Sequence, residues 1–256
     1  MNKERLWTKE FILNSLVNFL LVLAMFALMV TIAPYTISEY NAPMSLAGLA
    51  SSIFIIGVLI GRLYAGWKVN DIGSKKLLII GVIVFIVASS LFFLQINVYI
   101  IILLRLLQGI GFGLGANATG TIVAQIIPST RSGEGIGIFS MGVVLATAIG
   151  PLIGTSLINI YNYKVIFLFS VLIGSCAFIL SLFINSPKTE VDQESNAKFI
   201  KWNNLIEVRV IPIAIVVLIG ALIYSGIVAF VTTYASEINL KEVGGYFFLA
   251  YSIIIL

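Results

Sequence analysis

The sequence has no histidine and a single cysteine among its 256 residues. Without histidine, zinc sites of the histidine-containing kinds, histidine acid–base pairs and histidine proton relays are excluded. The lone thiol, Cys176, cannot form an internal disulfide, and its apolar surroundings predict a small packed core residue. Paired carboxylates at membrane depth are missing as well, so we expect neither a metal site nor an enzyme active site.

Charged residues are also scarce. They make up 10% of the chain, against about a quarter in soluble domains, while 60% of the residues are hydrophobic. This composition excludes a soluble globular protein and predicts an all-α polytopic membrane protein.

Long apolar runs provide the spans of such a protein. Each is close to the ~20 residues that cross a hydrocarbon core, and they cover residues 12–35, 46–67, 77–95, 98–122, 135–157, 164–185 and 210–233. The first run follows Lys3, Arg5 and Lys9, as a signal peptide would. However, it is longer than the 7–15 apolar residues of a signal peptide, so we expect a retained first helix.

The charges divide the chain into three parts. Residues 186–209 carry eight of the 26 charges and are predicted to be a cytoplasmic linker. Residues 1–185 then form a complete six-helix bundle, and residues 210–256 begin a second bundle with a seventh helix and the start of an eighth. With Arg105 set aside, twelve Lys and Arg residues lie on the side of the N-terminus and two lie on the other side. This bias predicts a multi-pass plasma-membrane protein with a cytoplasmic N-terminus.

A weak internal repeat suggests two equivalent halves. Ser38-Glu39-Tyr40-Asn41 follows the first span, and Ser236-Glu237-Ile238-Asn239 follows the seventh, 198 residues later. The last apolar run, 245–256, is too short to span. We therefore expect a twelve-helix protein whose sequence is cut short here.

Arg105 is a charge inside the fourth apolar run. A charge at this depth costs about 2.5–3.5 kcal/mol on insertion scales, so it usually faces a bundle interior or an aqueous cavity. Gln108 lies at i+3 and shares its helix face. Glycines follow at alternate positions, which allows a neighbouring helix to approach closely: Gly109, Gly111, Gly113 and Gly115. The alternative for Arg105 is a purely architectural pairing with backbone carbonyls.

Two further segments have distinctive residues at defined places. The fifth span contains Gly137, Ala146, Gly150, Pro151 and Gly154, where the proline is expected to kink the helix and the glycines to pack closely. Ordinary small-residue packing is the alternative. The connector between the second and third spans reads Gly66-Trp67-Lys68-Val69-Asn70-Asp71-Ile72-Gly73-Ser74-Lys75-Lys76. Its lysines would fix membrane orientation in any case.

These three segments together resemble the signature motifs of the major facilitator superfamily, in its drug/proton antiporter branch. The resemblance implies two six-helix bundles around a central cavity, alternating access, and export of a small molecule in exchange for protons. It implies proton coupling for Arg105 with Gln108, and a motif typical of exporters for the fifth-span residues.

The same resemblance makes the connector a cytoplasmic gate formed by Gly66, Asn70, Asp71, Gly73 and Lys75. The usual aspartate of the family is Asn70 here, and Asp71 is one position later. We expect Asp71 to substitute for it, with Arg131 in the next cytoplasmic connector as its partner.

A proton-driven exporter needs a protonatable group, yet no carboxylate lies deep in a span. Either Glu39 or Glu134, both at span ends, serves this role, or the group lies in the second half of the expected twelve-helix protein, beyond the sequence given. We expect a monomer that binds a small-molecule substrate within the bilayer, uses the proton gradient in place of any cofactor, and does not bind nucleic acid. Import or facilitated passage of sugars or organic anions on the same fold, and an inactive fragment, are the alternatives.

Overall fold

The computed structural model describes residues 5–94, 96–185, 210–223, 238, 250 and 253–254. Two compact units can be distinguished: Met1–Thr189 with Ser252–Leu256, and Glu190–Tyr251. In the second unit the described part is chiefly one apolar helix, Ile211–Ile223. The predicted linker, the end of the seventh span and most of the eighth lie outside the described residues.

The first unit is formed by helices whose bounds, in chain order, are α1 (Lys9–Met29), α2 (Ile32–Tyr40), α3 (Met44–Ile72), α4 (Ser74–Leu91), α5 (Val98–Ile126), α6 (Ser132–Ile160) and α7 (Tyr163–Leu182). Short 3₁₀ turns follow α4 at Phe92–Leu94 and precede α6 at Ser129–Arg131. Apart from α2, each helix is long and apolar enough to cross a membrane, with its adjoining turn where it has one. The prediction of six spans before residue 186 is therefore confirmed.

Side-chain caps start three of these helices. Thr8 accepts a hydrogen bond from the Phe11 backbone N–H, Asn97 from that of Ile100, and Asn162 from that of Lys164. Such caps satisfy backbone donors that a helix start would otherwise leave unpaired.

The predicted first span, 12–35, is two helices. α1 ends at Met29 and α2 begins at Ile32, with Thr31 donating its hydroxyl proton to the carbonyls of Ala27 and Leu28 at 3.2 and 3.0 Å. Pro34 explains the interruption, because it has no N–H for the carbonyl four residues earlier and its ring clashes with that carbonyl.

The helices of this unit pack chiefly against α5 and α1. α3 and α4 lie against α5 most extensively, and α1 packs against α6, α7 and α5. The largest cluster of buried side chains joins α1, α3, α4, α5, α6 and α7, with Phe54, Phe85 and Phe112 among its members. Cys176 on α7 is exposed, so the expectation that it would be a core residue is wrong.

Most of the predicted gating loop is helical. α3 continues through Gly66, Asn70 and Asp71 to Ile72, and α4 begins at Ser74. Gly73 alone makes the turn, with φ of 89°, a backbone conformation that favours glycine. The polar residues after the apolar run do not end the helix, and α3 continues through them to Ile72.

Candidate functional site

Arg105 is fully buried in α5, and hydrogen bonds connect it to two other helices. Its Nε donates to the Ala50 carbonyl of α3 at 3.3 Å, and its Nη1 donates to Gln108 Oε1 at 2.6 Å. Gln108 Nε2 in turn donates to Ser89 Oγ of α4 at 2.8 Å. The shared face predicted for Arg105 and Gln108 is confirmed, and the carbonyl pairing considered as the alternative is present as well.

The charge of Arg105 has neutral surroundings. Its guanidinium carbon lies 4.4 Å from the centre of the Phe54 ring, which is within the range of a cation–π contact. Nη2 has no hydrogen-bond partner among the described residues. Arg105 is therefore held by an amide, a carbonyl and an aromatic face, and the salt bridges in the described part of the chain do not include it.

The glycines of α5 divide between two helix interfaces. A Cβ at Gly57 of α3 would lie 3.1 Å from the Gly109 Cα, and one at Gly61 would lie 3.1 Å from the Gly113 Cα. The two pairs thus allow backbone-to-backbone contact of α3 and α5, as small residues at four-residue spacing do in membranes.

Gly111 faces the other side. A Cβ there would lie 2.6 Å from the Phe85 backbone nitrogen and 2.7 Å from the Gly81 carbonyl oxygen, both in α4. The sequence predicted that one neighbouring helix would approach the glycines of α5. Two helices do so: Gly109 and Gly113 face α3, and Gly111 faces α4. The reason is that residues i and i+4 share a helix face, whereas residue i+2 does not.

Gly150 and Gly154 bring α6 against α1. A Cβ at Gly150 would lie 2.8 Å from the Phe26 Cβ, and one at Gly154 would lie 3.1 Å from the Ala27 Cα. Pro151 is buried at the same interface, and α6 continues through it from Ser132 to Ile160. The close packing expected here is present.

The other two residues of that motif differ from each other. Ala146 is fully buried, but Gly137 is exposed and a Cβ there would meet no described atom within 4 Å. The packing role predicted for Gly137 is wrong, because this glycine lies on the exposed face of α6, while Ile138 and Phe139 of the same turn pack towards α1 and α5. Gly66 of α3 is equally open.

A pocket of about 410 Å³ opens between α1, α3, α5 and α6. Its wall is mainly apolar, with the aromatic rings of Phe26, Phe112 and Phe139, and its polar members are Asn18, Arg62 and Thr147. The volume is in the range of small-molecule sites.

Arg105 and Gln108 do not line this pocket. The prediction that they face a cavity is wrong: they point to the α3 and α4 side of α5, where 0% and 1% of their surfaces are exposed. The cation at the pocket is Arg62, one of the twelve Lys and Arg residues whose distribution predicts the membrane orientation.

A small polar cluster lies next to the pocket between α1 and α5. Asn14 Nδ2 donates to the Thr119 carbonyl at 2.9 Å, and the Thr119 hydroxyl donates to Asn18 Oδ1 at 3.0 Å. Asn14 is fully buried, and its Oδ1 has no partner among the described residues. These bonds join the two helices in a low-dielectric setting.

The predicted gate contact is absent from the described residues. Asp71 pairs with Lys68 at 2.8 Å, and Arg131 pairs with Glu134 at 2.6 Å, so each charge is neutralised three residues away on its own segment. Lys75 donates to the Leu182 carbonyl at 3.0 Å. The expected Asp71–Arg131 pair is therefore wrong.

The two candidate protonatable groups lie outside the pocket. Glu39 is exposed near the end of α2, and Glu134 is exposed in the first turn of α6 beside Arg131. The pocket lining contains no carboxylate among the described residues.

Comparison with known families decides the class of protein. Residues 15–256 match the Major Facilitator Superfamily, which is nearly the whole chain. The chain belongs to the Major Facilitator Superfamily.

Relatives and solved structures agree with this assignment. The chain is 34% identical over 137 residues to the multi-drug resistance efflux pump PmrA of Streptococcus pneumoniae, covering 53% of this chain and 33% of PmrA. It is 31% identical over 172 residues to the methylenomycin A resistance protein of Bacillus subtilis, covering 64% and 37%. A crystal structure of a peptide transporter POT mutant with sulfate has a TM-score of 0.67 at 18% identity, covering 90% of this chain and 50% of that one.

This Major Facilitator Superfamily chain is thus a multi-pass membrane protein with the fold of that family. The chain spans half or less of the length of these proteins. Two features of the site were not predicted from the sequence: the pocket position of Arg62, and the α3 and α4 glycines that face α5. The spacing of Gly57 and Gly61, four residues apart, was the available signal for the second.

Proposed function

We propose that the whole protein is a secondary active transporter of the plasma membrane that exports a small molecule by proton antiport and works as a monomer. Its N-terminus faces the cytoplasm, as the distribution of Lys and Arg indicates. The identity to a multi-drug efflux pump over half of the chain supports export over import.

The observation that carries the proposal is the four-helix pocket and how its walls are joined. α6 meets α1 through Gly150 and Gly154, and α3 meets α5 through Gly57 with Gly109. The residues of the exporter motif therefore fix one pair of pocket walls. Such close helix–helix contacts suit helix pairs that move together as rigid units during alternating access.

Arg105 supplies a fixed positive charge beside the pocket-lining helices. A guanidinium keeps its proton at all relevant pH values, so Arg105 does not carry the transported proton itself. Its fixed charge instead lowers the proton affinity of an acceptor. Because it contacts α3 directly and α4 through Gln108, its charge is held where three helices meet.

The test uses the protein at its full natural length in everted vesicles with an imposed pH gradient. Three dyes serve as probes: cationic ethidium, neutral N-phenyl-1-naphthylamine and anionic 1-anilinonaphthalene-8-sulfonate. We expect Arg105→Ala to abolish gradient-driven accumulation of every dye that the wild type transports. Arg105→Lys should keep part of it, because the charge remains but the forked geometry is lost.

Arg5→Ala, which removes an exposed arginine outside the bundle, is the matched control and should transport like the wild type. Thermal stability is measured in parallel. If Arg105→Ala is less stable but moves the same number of protons per dye molecule, its role is structural and the assignment is wrong.

Import or facilitated passage is the second function that the fold allows. Right-side-out vesicles separate the two directions: an exporter accumulates dye in everted vesicles, and an importer accumulates it in right-side-out ones. Accumulation only in the right-side-out vesicles would refute export.

A further inference from the structure

We infer that the pocket between α1, α3, α5 and α6 takes amphipathic organic anions, and that Arg62 of α3 binds their anionic group. This inference rests on the proposed function in one respect: it names the substrate class of a transporter. The contact itself is a matter of binding and can be measured without transport.

Arg62 is placed by the helix period of α3. Ile55, Val58 and Arg62 stand at i, i+3 and i+7, share one helix face, and all line the pocket. The next charge along α3, Lys68, follows six residues later, which is about 9 Å along the axis. Arg62 therefore lies deeper in the span than the charges near the C-terminal end of α3, which begin at Lys68.

A charge at that depth is tolerated where it faces an aqueous cavity or a partner. Arg62 is exposed in the structure, and its guanidinium has neither a hydrogen bond nor an ion pair with any described residue. Arg105, by contrast, is wholly buried and turned away. The positive charge that a ligand in this pocket meets is Arg62.

The remaining polar groups of the pocket add a donor and no negative charge. Asn18 Oδ1 is occupied by the Thr119 hydroxyl, so its Nδ2 is the group left to donate. The Thr147 hydroxyl donates its proton to the Val144 carbonyl at 2.6 Å. The described lining residues include no carboxylate, so no negatively charged side chain there offsets Arg62 or pairs with a cationic ligand.

The chemical class follows from these groups. A guanidinium binds carboxylate, sulfonate or phosphate oxygens with two parallel hydrogen bonds. The apolar wall, with Phe26, Phe112 and Phe139, accommodates an aromatic or aliphatic body. The pocket volume of about 410 Å³ suits a molecule of a few rings.

Two probes with the same rings test the inference. 1-Anilinonaphthalene-8-sulfonate carries the anion, and N-phenyl-1-naphthylamine is the same molecule without the sulfonate. Both fluoresce on binding, so their dissociation constants are measured by titration of the purified full-length protein. The readout is the ratio of the two constants, which cancels changes in the apolar wall.

We expect Arg62→Gln to weaken sulfonate binding about tenfold or more and to leave the neutral probe within about twofold, as loss of a charge-assisted hydrogen bond implies. Arg62→Lys should lie between the wild type and Arg62→Gln. Arg5→Gln, the same substitution on an exposed arginine outside the pocket, should leave the ratio unchanged. Because Arg62 is exposed, its variants are expected to keep the wild-type melting temperature, which is checked.

Three results would overturn the inference. They are a wild-type protein that binds the two probes equally, an Arg62→Gln ratio equal to that of the wild type, and an Arg5→Gln ratio that changes as much. Transport is then assayed separately with the same probes. If the sulfonate binds in an Arg62-dependent way but none of the three dyes is exported, the proposed function fails and the binding inference stands. If the sulfonate is exported without regard to Arg62, the inference alone fails.

Discussion

Replacing Gly109 by alanine should weaken the contact between α3 and α5. The new Cβ would lie 3.0 Å from the Phe54 carbonyl carbon and 3.1 Å from the Gly57 Cα, and closer still to the Phe54 oxygen. All three are backbone atoms, so no side-chain rotation relieves the overlap. The helices must separate, and the hydrogen bond from Arg105 to the Ala50 carbonyl lies in the same interface.

The expected magnitude combines two opposing terms. Alanine in place of glycine favours a helix by about 1 kcal/mol, whereas overpacking a close interface costs about 1–3 kcal/mol. The net loss at Gly109 is then up to about 2 kcal/mol. Gly120 of the same helix is the matched control, because a Cβ there meets no described atom within 4 Å. Gly120→Ala should gain about 1 kcal/mol.

Thermal unfolding of the purified protein in detergent, followed by loss of the monodisperse peak in size-exclusion chromatography, measures both variants. A change of 1 kcal/mol moves the melting temperature of a chain this size by about 2–4 °C. Gly109→Ala should melt several degrees below the wild type and Gly120→Ala a few degrees above it. Equal shifts in one direction would show that helix propensity, and not the α3–α5 contact, governs these positions.

Two other predictions use the same measurement. Gln108→Leu removes the acceptor of Arg105 Nη1 and should cost about 1.5–3 kcal/mol, whereas Ser89→Ala removes only a neutral hydroxyl and should cost about 1 kcal/mol; equal losses would show that the charge of Arg105 is not supported by Gln108. Gly73→Ala forces a side chain onto a residue with φ of 89° and should cost about 1–3 kcal/mol, while Gly66→Ala on open helix surface should gain about 1 kcal/mol. A Gly73→Ala variant as stable as the wild type would contradict the turn assigned there.

The spans and the Arg105–Gln108 face could be predicted from sequence because both depend on local rules. A span needs about 20 apolar residues, and residues three apart on a helix meet. The extension of α3 to Ile72 could not be predicted in this way, because hydropathy marks where the lipid ends and not where the helix ends. The break before α2 is a local effect of Pro34, and hydropathy does not register it.

The pocket could not be predicted from the sequence, because its position depends on which helices pack against one another. Arg62 and Lys68 have the same charge on one helix, and their sequence neighbourhoods do not separate a cavity residue from an orientation charge. Arg105 had the stronger sequence signal, yet its side chain points to α3 and α4. Gly109 and Gly113 allow the α3 backbone to approach α5, and Gly111 does the same for α4. Pairing of helices, unlike their existence, is a property of the assembled bundle.

The order of Arg105 and its partners along the chain bears on how the protein is made. Ala50, Phe54 and Ser89 all precede Arg105, so the ribosome has completed α3 and α4 before the arginine emerges. Synthesis proceeds from the N-terminus at about 5–20 residues per second, which leaves seconds for these helices to enter the membrane first. Only Gln108 follows, by three residues, within the same helix. A charge that is costly in bare lipid is thus synthesised after Ala50 and Phe54, which supply one of its two hydrogen-bond acceptors and its aromatic contact.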